Sequence, residues 1–414
     1  MHLQRVQVPD FRVLKDIDIS FEKEFSPRIF PLGSLNGGGK STLLQLMFIL
    51  LHCSAYPEKH EFIRNLLEGF AIPEGSNKRV VAEFEVWDGE KKVNINFFVY
   101  RGIEIFPIDN TSNEQAKETY SEESQELLTY DKRKALVFKE NLRLIHLESF
   151  ITSEKPNILF CEFINIDDKM IDQFRVNLSH KIFLASPSTQ IFLFSSSIYR
   201  KSLFRKKITS GTINTASENL KKSNGNFPKL KDELSKEWEK MTDELPNFLP
   251  YDFFSVDVII QAFIKARDQD FEEARLTEGK YGNRYKGLLS DFNNFLIDKK
   301  INIDQDLLGI NFKTERNGKT IELYPEDLSH GELKRLSLYV WLKYSNIENA
   351  IILFDEIEIA LHPDWQYQII RDLEEWGPTN QYILATHSYE LCQALTPAHV
   401  KEIEPKLLNN VNHS

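Results

Sequence analysis

Arg28-Ile-Phe-Pro-Leu32 runs directly into Gly33-Ser-Leu-Asn-Gly-Gly-Gly-Lys-Ser-Thr42, and that loop runs into the apolar stretch Leu43 to Leu51. The first piece reads as a buried strand and the last, from its length and its Leu and Met content, as a helix. Three consecutive glycines followed by Lys and Ser, between a strand and a helix, are what phosphate binding requires. Glycines let backbone N–H groups close around a phosphate, and the helix N-terminus adds its partial positive charge. Lys40 is then placed to reach the β- and γ-phosphates of a nucleotide and Ser41 to coordinate Mg²⁺. The alternative is a flexible loop with a chance lysine.

Outward from this loop, Leu3 to Phe21 alternates and is β-branched, with a turn expected at Pro9-Asp10, which predicts two strands. Val80 to Trp87 and Lys92 to Tyr100 alternate on either side of Asp88-Gly89, a strong hairpin signal and hence an antiparallel sheet. Asn110 to Glu126 is polar and acidic, Arg200 to Asn226 is basic and poor in large apolar residues, and both read as exposed insertions. Between Glu233 and Leu296 apolar positions such as Phe263, Ala266, Phe271 and Ala274 fall near helical spacing, and Pro246, Pro250 and Gly282 break any long coiled coil. Ala350 to Phe354 and Gln381 to Ala385 are buried strands.

Composition bounds the answer further. The 414 residues carry a net charge of −11, with 27% charged and 41% hydrophobic residues. A surface that is basic all over is excluded, so any nucleic-acid contact must be local. The three cysteines, Cys53, Cys161 and Cys392, are too far apart in sequence for a CxxC knuckle or a dense disulfide framework. No apolar run is long enough to span a bilayer, and a cytoplasmic location is expected.

Further chemistry lies near the C-terminal end. Ile351-Ile-Leu-Phe-Asp-Glu356 is an apolar strand ending in two carboxylates: Asp355 can hold Mg²⁺ through water, and Glu356 can position or deprotonate an attacking water. Leu328-Ser-His-Gly-Glu332 opens a helix. Ser329 is a plausible N-cap there, and its functional role needs a second subunit, whose P-loop nucleotide Ser329 and the Gly331 N–H would cap. Ala385-Thr-His-Ser388 follows the last strand. Counted back from Lys40, the pattern GxxxxGKS expects glycine where Ser34 stands, with Gly33 one residue earlier, so only the cradle Gly37 to Ser41 follows it strictly.

These residues resemble the ABC-type ATPase heads, and within them the SMC, RecF and OLD-like group. The resemblance rests on Asn36 to Thr42 as Walker A, Leu328 to Glu332 as signature, Ile351 to Glu356 as Walker B and His387 as switch histidine. It implies an α/β fold, an ABC-type P-loop ATPase head with a mixed sheet and an antiparallel β-subdomain, split by a mainly helical insertion. The expected division is an N-terminal lobe at 1–108, an insertion at 109–318 and a C-terminal lobe at 319–414. It also implies ATP and Mg²⁺ as cofactors. Asn36, Gly37, Gly38, Gly39, Lys40, Ser41 and Thr42 would bind nucleotide, with Ser329, Gly331 and Glu332 from the signature. Ser41, Asp355 and Gln190 would hold the metal, Glu356 would be the catalytic base, and Lys40 and His387 would engage the γ-phosphate. Gln190 is the candidate Q-loop glutamine, with a simple strand-edge amide as its alternative.

Asp355-Glu-Ile-Glu-Ile-Ala-Leu-His-Pro363 is similar to the DE-x-E-x-x-LHP form of OLD-like and anti-phage ATPases, with Leu361 to Asp364 in place of the usual D-loop. The 27 residues after His387 leave no room for a Toprim nuclease, and the chain is expected to make no cut itself. The text Phe30 to Thr42, with Leu51-His-Cys53 after it, resembles the PtuA ATPases of Septu and of retron-linked defence modules. That resemblance implies an ATP-dependent homodimer or higher oligomer acting with a separate effector such as an HNH nuclease. The alternatives are a RecF-like repair ATPase that clamps DNA and a regulator whose ATP switch releases a toxin. Arg200, Lys201, Arg205, Lys206 and Lys207, grouped around Phe204, are candidate contacts to DNA, RNA or an acidic partner.

Overall fold

The computed structural model describes residues 1–33, 37–101, 141–148, 157–187, 244–251, 255–277, 279–296, 298–303, 310–345 and 347–403. Asn36, Gln190 and the segment 200–207 lie outside them. The first hairpin pairs β1 (His2–Phe11) with β2 (Leu14–Ser20). Its turn falls at Arg12-Val13 rather than at the expected Pro9-Asp10, with Arg12 at φ 55°. Pro9 has no N–H to give and is passed over in the pairing, which steps from Val8↔Ile17 to Asp10↔Lys15. Opposite it Asp16 takes a φ of 49°. The strand therefore absorbs its proline and turns later.

The glycine loop lies where it was expected, between β3 (Ile29–Gly33) and α1 (Lys40–Phe48), whose helix continues as a wider π turn over Ile49–Cys53. After α2 (His60–Leu67) come β4 (Lys78–Trp87) and β5 (Lys92–Arg101), the hairpin marked by Asp88-Gly89. β6 (Leu142–Glu148) and β7 (Asn157–Ile164) complete an antiparallel sheet of order β2-β1-β4-β5-β7-β6. The boundary expected at residue 108 thus cuts this sheet between β5 and β7. Asn157 to Ile164 is a short apolar run, and its text does not tell which sheet it joins.

α3 (Asp168–His180) leads into β8 (Ile182–Ser186), and β9 (Phe248–Pro250) pairs beside it. Two helices follow, α4 (Ser255–Leu276) and α5 (Arg284–Phe295), separated at Gly282. The helical spacing read there is that of α4, whose Phe263 and Ala266 are buried while Phe271 is 53% exposed. A three-stranded antiparallel sheet that the sequence reading did not anticipate comes next, β10 (Lys299–Ile303), β11 (Ile310–Arg316) and β12 (Lys319–Leu323). α6 (His330–Tyr339) also extends into a π turn, Val340–Tyr344. The chain then forms β13 (Ile351–Asp355), α7 (Pro363–Trp376), β14 (Gln381–Ala385), α8 (Tyr389–Gln393) and β15 (Lys401–Glu402).

The second six-stranded sheet has the order β15-β3-β14-β13-β8-β9, and all its pairs are parallel. Both faces of a parallel sheet must be covered, and the alternation along each strand shows how. Ile351, Leu353, Ile383 and Ala385 pack with α1 and the antiparallel sheet. Ile352, Phe354, Tyr382 and Leu384 pack with Ile259 of α4, Leu288 of α5, Leu336 of α6 and Leu373 of α7. α1 lies between the two sheets, and Leu43, Leu44, Leu46, Met47 and Phe48 are all fully buried, as befits a helix that is apolar all round. The fold is α/β, with the glycine loop on one sheet and a separate antiparallel sheet beside it, as the sequence predicted, but the sheet expected to be mixed pairs only in parallel. Among the described residues no helix is long and apolar enough to cross a membrane.

His2 and His52 are buried in this frame, and His60 is half-buried. His2 Nε2 faces the Phe21 carbonyl at 3.2 Å. His52 Nδ1 lies 2.9 Å from the Ser179 carbonyl, and its Nε2 lies 2.9 Å from the Lys59 ammonium. Burial pulls His2, His52 and His60 down to about 4. In the unfolded chain each titrates near 6.5, so between those values the unfolded state binds protons that the native state refuses. Stability is therefore expected to fall as pH drops from 6.5 toward 4, by on the order of 3 kcal/mol per histidine. Urea midpoints at pH 7.5, 6 and 5 check this, and a midpoint unchanged down to pH 5 contradicts it.

Candidate functional site

The glycine loop is shaped by backbone conformations that other residues resist. Gly37 has φ 81° and Gly39 φ 89°, both in the left-handed region. A Cβ on Gly39 would also stand 2.6 Å from Leu14 Cδ2, because the β1–β2 turn presses on the loop. α1 begins at Lys40 with no side-chain cap and no acidic residue in its first turn. Its positive end is left for an anion. Gly38, Ser41 and Thr42 are half-buried, and Lys40 is 6% exposed.

Parallel pairing sets Asp355 beside Ala385 and Ala385 beside Leu32. The ends of β13, β14 and β3 therefore reach one edge of the sheet, the usual place for a ligand in an open α/β sheet. There Ser41 Oγ donates to Asp355 Oδ1 at 2.9 Å, and Lys40 Nζ lies 3.5 Å from His387 Nδ1. The His387 backbone N–H donates to Glu358 Oε1 at 2.7 Å. Glu356 directly follows β13 with φ 53° and donates its N–H to the Ala385 carbonyl at 2.8 Å. Motifs more than 300 residues apart in sequence are brought together.

Burial pushes the Asp355 carboxyl up to about 7; the Ser41 hydroxyl and Lys40 oppose this, while Glu356 and Glu358 add to it. Burial likewise lowers Lys40, against the attraction of Glu358, Asp355 and Glu356. Three carboxylates thus share one ammonium, an excess of negative charge that a divalent cation would neutralise. Among the described residues no group of three or more His, Cys, Asp or Glu side chains is placed to hold a metal. Mg²⁺ needs no such cage: it takes one or two protein oxygens, several waters and phosphate oxygens. Ser41 Oγ and the buried Asp355 carboxylate are oxygens of that kind, and the residues fit the ion.

The signature residues stand apart from this cluster in their bonding. Ser329 is the N-cap of α6 and forms a capping box with Glu332: its Oγ accepts from the Glu332 N–H at 3.2 Å, and the Glu332 carboxylate accepts from the Ser329 N–H at 3.0 Å. Lys299 binds the same carboxylate at 2.7 Å. Ser329 is exposed. Two contributors were missed in the sequence. Glu358 holds the His387 backbone, and its Oε2 is buried with no hydrogen-bond partner among the described residues. Lys334, on α6, bonds the loop after β13. The only sequence signal for Glu358 was its place in the DE-x-E pattern.

Against known proteins, the family described as AAA ATPase domain matches residues 1–392. The chain belongs to that family. The enzyme class read from the motifs, an ATPase, is the family's own. The "Retron Vc95 probable ATPase" of Vibrio cholerae serotype O1 biovar El Tor is 30% identical over 129 residues, 28% of this chain and 23% of that protein. The "Retron Ec83 probable ATPase" of Escherichia coli is 27% identical over 200 residues, 39% of this chain and 37% of that protein. The matched regions thus span well under half the length of these relatives. The SMC head domain from Thermotoga maritima aligns over 95% of this chain and 92% of its own, at 11% identity and a TM-score of 0.40.

Proposed function

We propose that this AAA-family ATPase hydrolyses ATP with Mg²⁺ between two heads and serves as the sensing subunit of a bacterial anti-phage system with a separate effector. One observation carries the hydrolytic part, the Ser41 Oγ to Asp355 Oδ1 bond of 2.9 Å beside Lys40 and His387. Gly37 to Thr42 wrap the phosphates with backbone N–H groups, and Lys40 Nζ adds the positive charge there. Ser41 and Asp355 hold the metal, which when bound offsets the charge developing on the phosphate oxygens. Glu356 orients and deprotonates the attacking water, and His387, fixed through its backbone by Glu358, meets the γ-phosphate.

Ser329, Gly331 and Glu332 close the site from the partner head. Gln190 is the proposed Q-loop residue and Asn36 a further nucleotide contact. The proposed division is functional rather than spatial. Residues 1–108 bring the phosphate loop and 319–414 the signature, the acids and the histidine. Residues 109–318, which also lend strands to both large sheets, carry the partner-specific part. Arg200 to Lys207 is its proposed contact to nucleic acid or to an acidic effector.

The similarity to retron ATPases supports the defence role, and the PtuA and Septu modules are its finer form, in the cytoplasm. When the chain is co-expressed with its genomic neighbours and purified by a tag on itself, an effector protein such as an HNH nuclease is expected to co-elute in stoichiometric amount. Recovery of DNA and repair factors instead would contradict the defence role and favour a RecF-like clamp.

A further inference from the structure

Lys334 lies on the second turn of α6, five residues after Ser329, and is 4% exposed. A lysine on a helix ordinarily extends its ammonium to water, and a buried charge must be compensated. Here Nζ donates to the carbonyl of Glu356 at 3.2 Å and to that of Ile359 at 3.1 Å. It also stands 3.9 Å from the centre of the Tyr251 ring, a cation–π distance. Gly331 precedes Lys334 by three residues and so lies on the same face of α6. A Cβ there would come within 2.6 Å of the Ala360 carbonyl oxygen. One side of α6 thus meets three backbone carbonyls of a single loop.

That loop is under strain. Glu356 has φ 53° and Ala360 φ 67°, left-handed values that cost non-glycine residues on the order of 1–3 kcal/mol. Such conformations persist only where the surroundings hold them. Glu356 is held on both sides, its N–H by the Ala385 carbonyl at 2.8 Å and its C=O by Lys334. The side chain of Glu356 is aimed by this backbone.

We propose that Lys334 is a positioning residue that clamps the strained loop so that the Glu356 carboxylate stays in place for catalysis, and that through α6 it ties the signature end of each head to that head's own carboxylate. The proposal rests on the catalytic role assigned to Glu356 above. Lys334 touches neither nucleotide nor water in this account; it acts through the Glu356 and Ile359 carbonyls.

The test compares Lys334→Met and Lys334→Arg with the wild type, reading ATP affinity, KM, kcat and thermal unfolding. Lys334→Met keeps the length of the stem and removes the donors. It is expected to bind ATP within about threefold of wild type while kcat falls about 10- to 100-fold, the scale of a misplaced catalytic group. Lys334→Arg, which still donates to several carbonyls, is expected to recover kcat to within about threefold. Wild-type kcat in Lys334→Met overturns the proposal. So does a loss in which ATP affinity, kcat and unfolding temperature fall together and arginine rescues none of them, since that marks a merely structural lysine. A wild type without any ATP hydrolysis overturns the proposal together with the reading beneath it, whereas a hydrolysing wild type matched by Lys334→Met overturns the proposal alone.

Discussion

Lys40→Ala is expected to reduce Mg²⁺-dependent phosphate release from ATP by at least about a thousandfold, the scale seen when a phosphate-clamping cation is lost. Lys40 is the only cationic side chain between Gly33 and Thr42. It is 6% exposed and faces Asp355, Glu356 and Glu358. Without it the three carboxylates would repel the triphosphate they are meant to receive. The substitution spares the fold, because alanine is the best helix former at the start of α1 and the loop shape is set by Gly37 and Gly39. Unchanged far-ultraviolet dichroism alongside lost activity separates chemistry from unfolding. Hydrolysis by Lys40→Ala at the wild-type rate would remove the phosphate-loop assignment.

Glu356→Gln is expected to convert a transient ATP-bound pair of heads into a stable one. Glutamine keeps the shape and length of the side chain and loses the basic oxygen, so water is no longer deprotonated while nucleotide is still held. The backbone that aims residue 356 is unaffected, since its bonds to the Ala385 carbonyl and to Lys334 use only main-chain atoms of Glu356. In the proposed two-headed site ATP would stay gripped by the glycine loop of one head and capped by Ser329 and Gly331 of the other. Multi-angle light scattering is expected to give the monomer mass without nucleotide and twice that mass with Mg²⁺ and ATP. A monomer under both conditions, with ATP binding measured, would contradict the two-headed site.

What was legible in the sequence was the chemistry that depends on local order. The strand, glycine loop and helix from Arg28 to Leu51, the acids at the end of β13 and the histidine after β14 each announce themselves in one continuous stretch, and the parallel sheet brings them to one edge. What escaped depends on partners far away in the chain. Lys334 reads as one more charge on a helix surface until β13 places two carbonyls against it. Glu358 looks like a solvent-facing repeat of Glu356 until the His387 N–H arrives from β14. Phe271 fits the helical period of α4, but the period does not say where the core ends. β12 was missed because its residues, Lys319-Thr-Ile-Glu-Leu323, are largely exposed, and a strand with little buried face leaves little alternation to read. β11 does bury every second residue from Ile310 to Thr314, and that alternation was passed over. Likewise, the N-cap at Ser329 was readable, whereas Lys299, the other partner of the Glu332 carboxylate, was not.

The central claim is that Lys40, Ser41 and Asp355 form one Mg²⁺-nucleotide site, and calorimetric titration of ATP into the purified chain tests it most directly. With Mg²⁺ the wild type is expected to bind ATP with one site per chain. Chelating the metal, or the substitution Asp355→Ala, is expected to weaken binding at least about tenfold, because Mg²⁺ then loses its protein oxygen. Equal affinity with and without Mg²⁺ in the wild type, or undiminished binding in Lys40→Ala, would contradict the account.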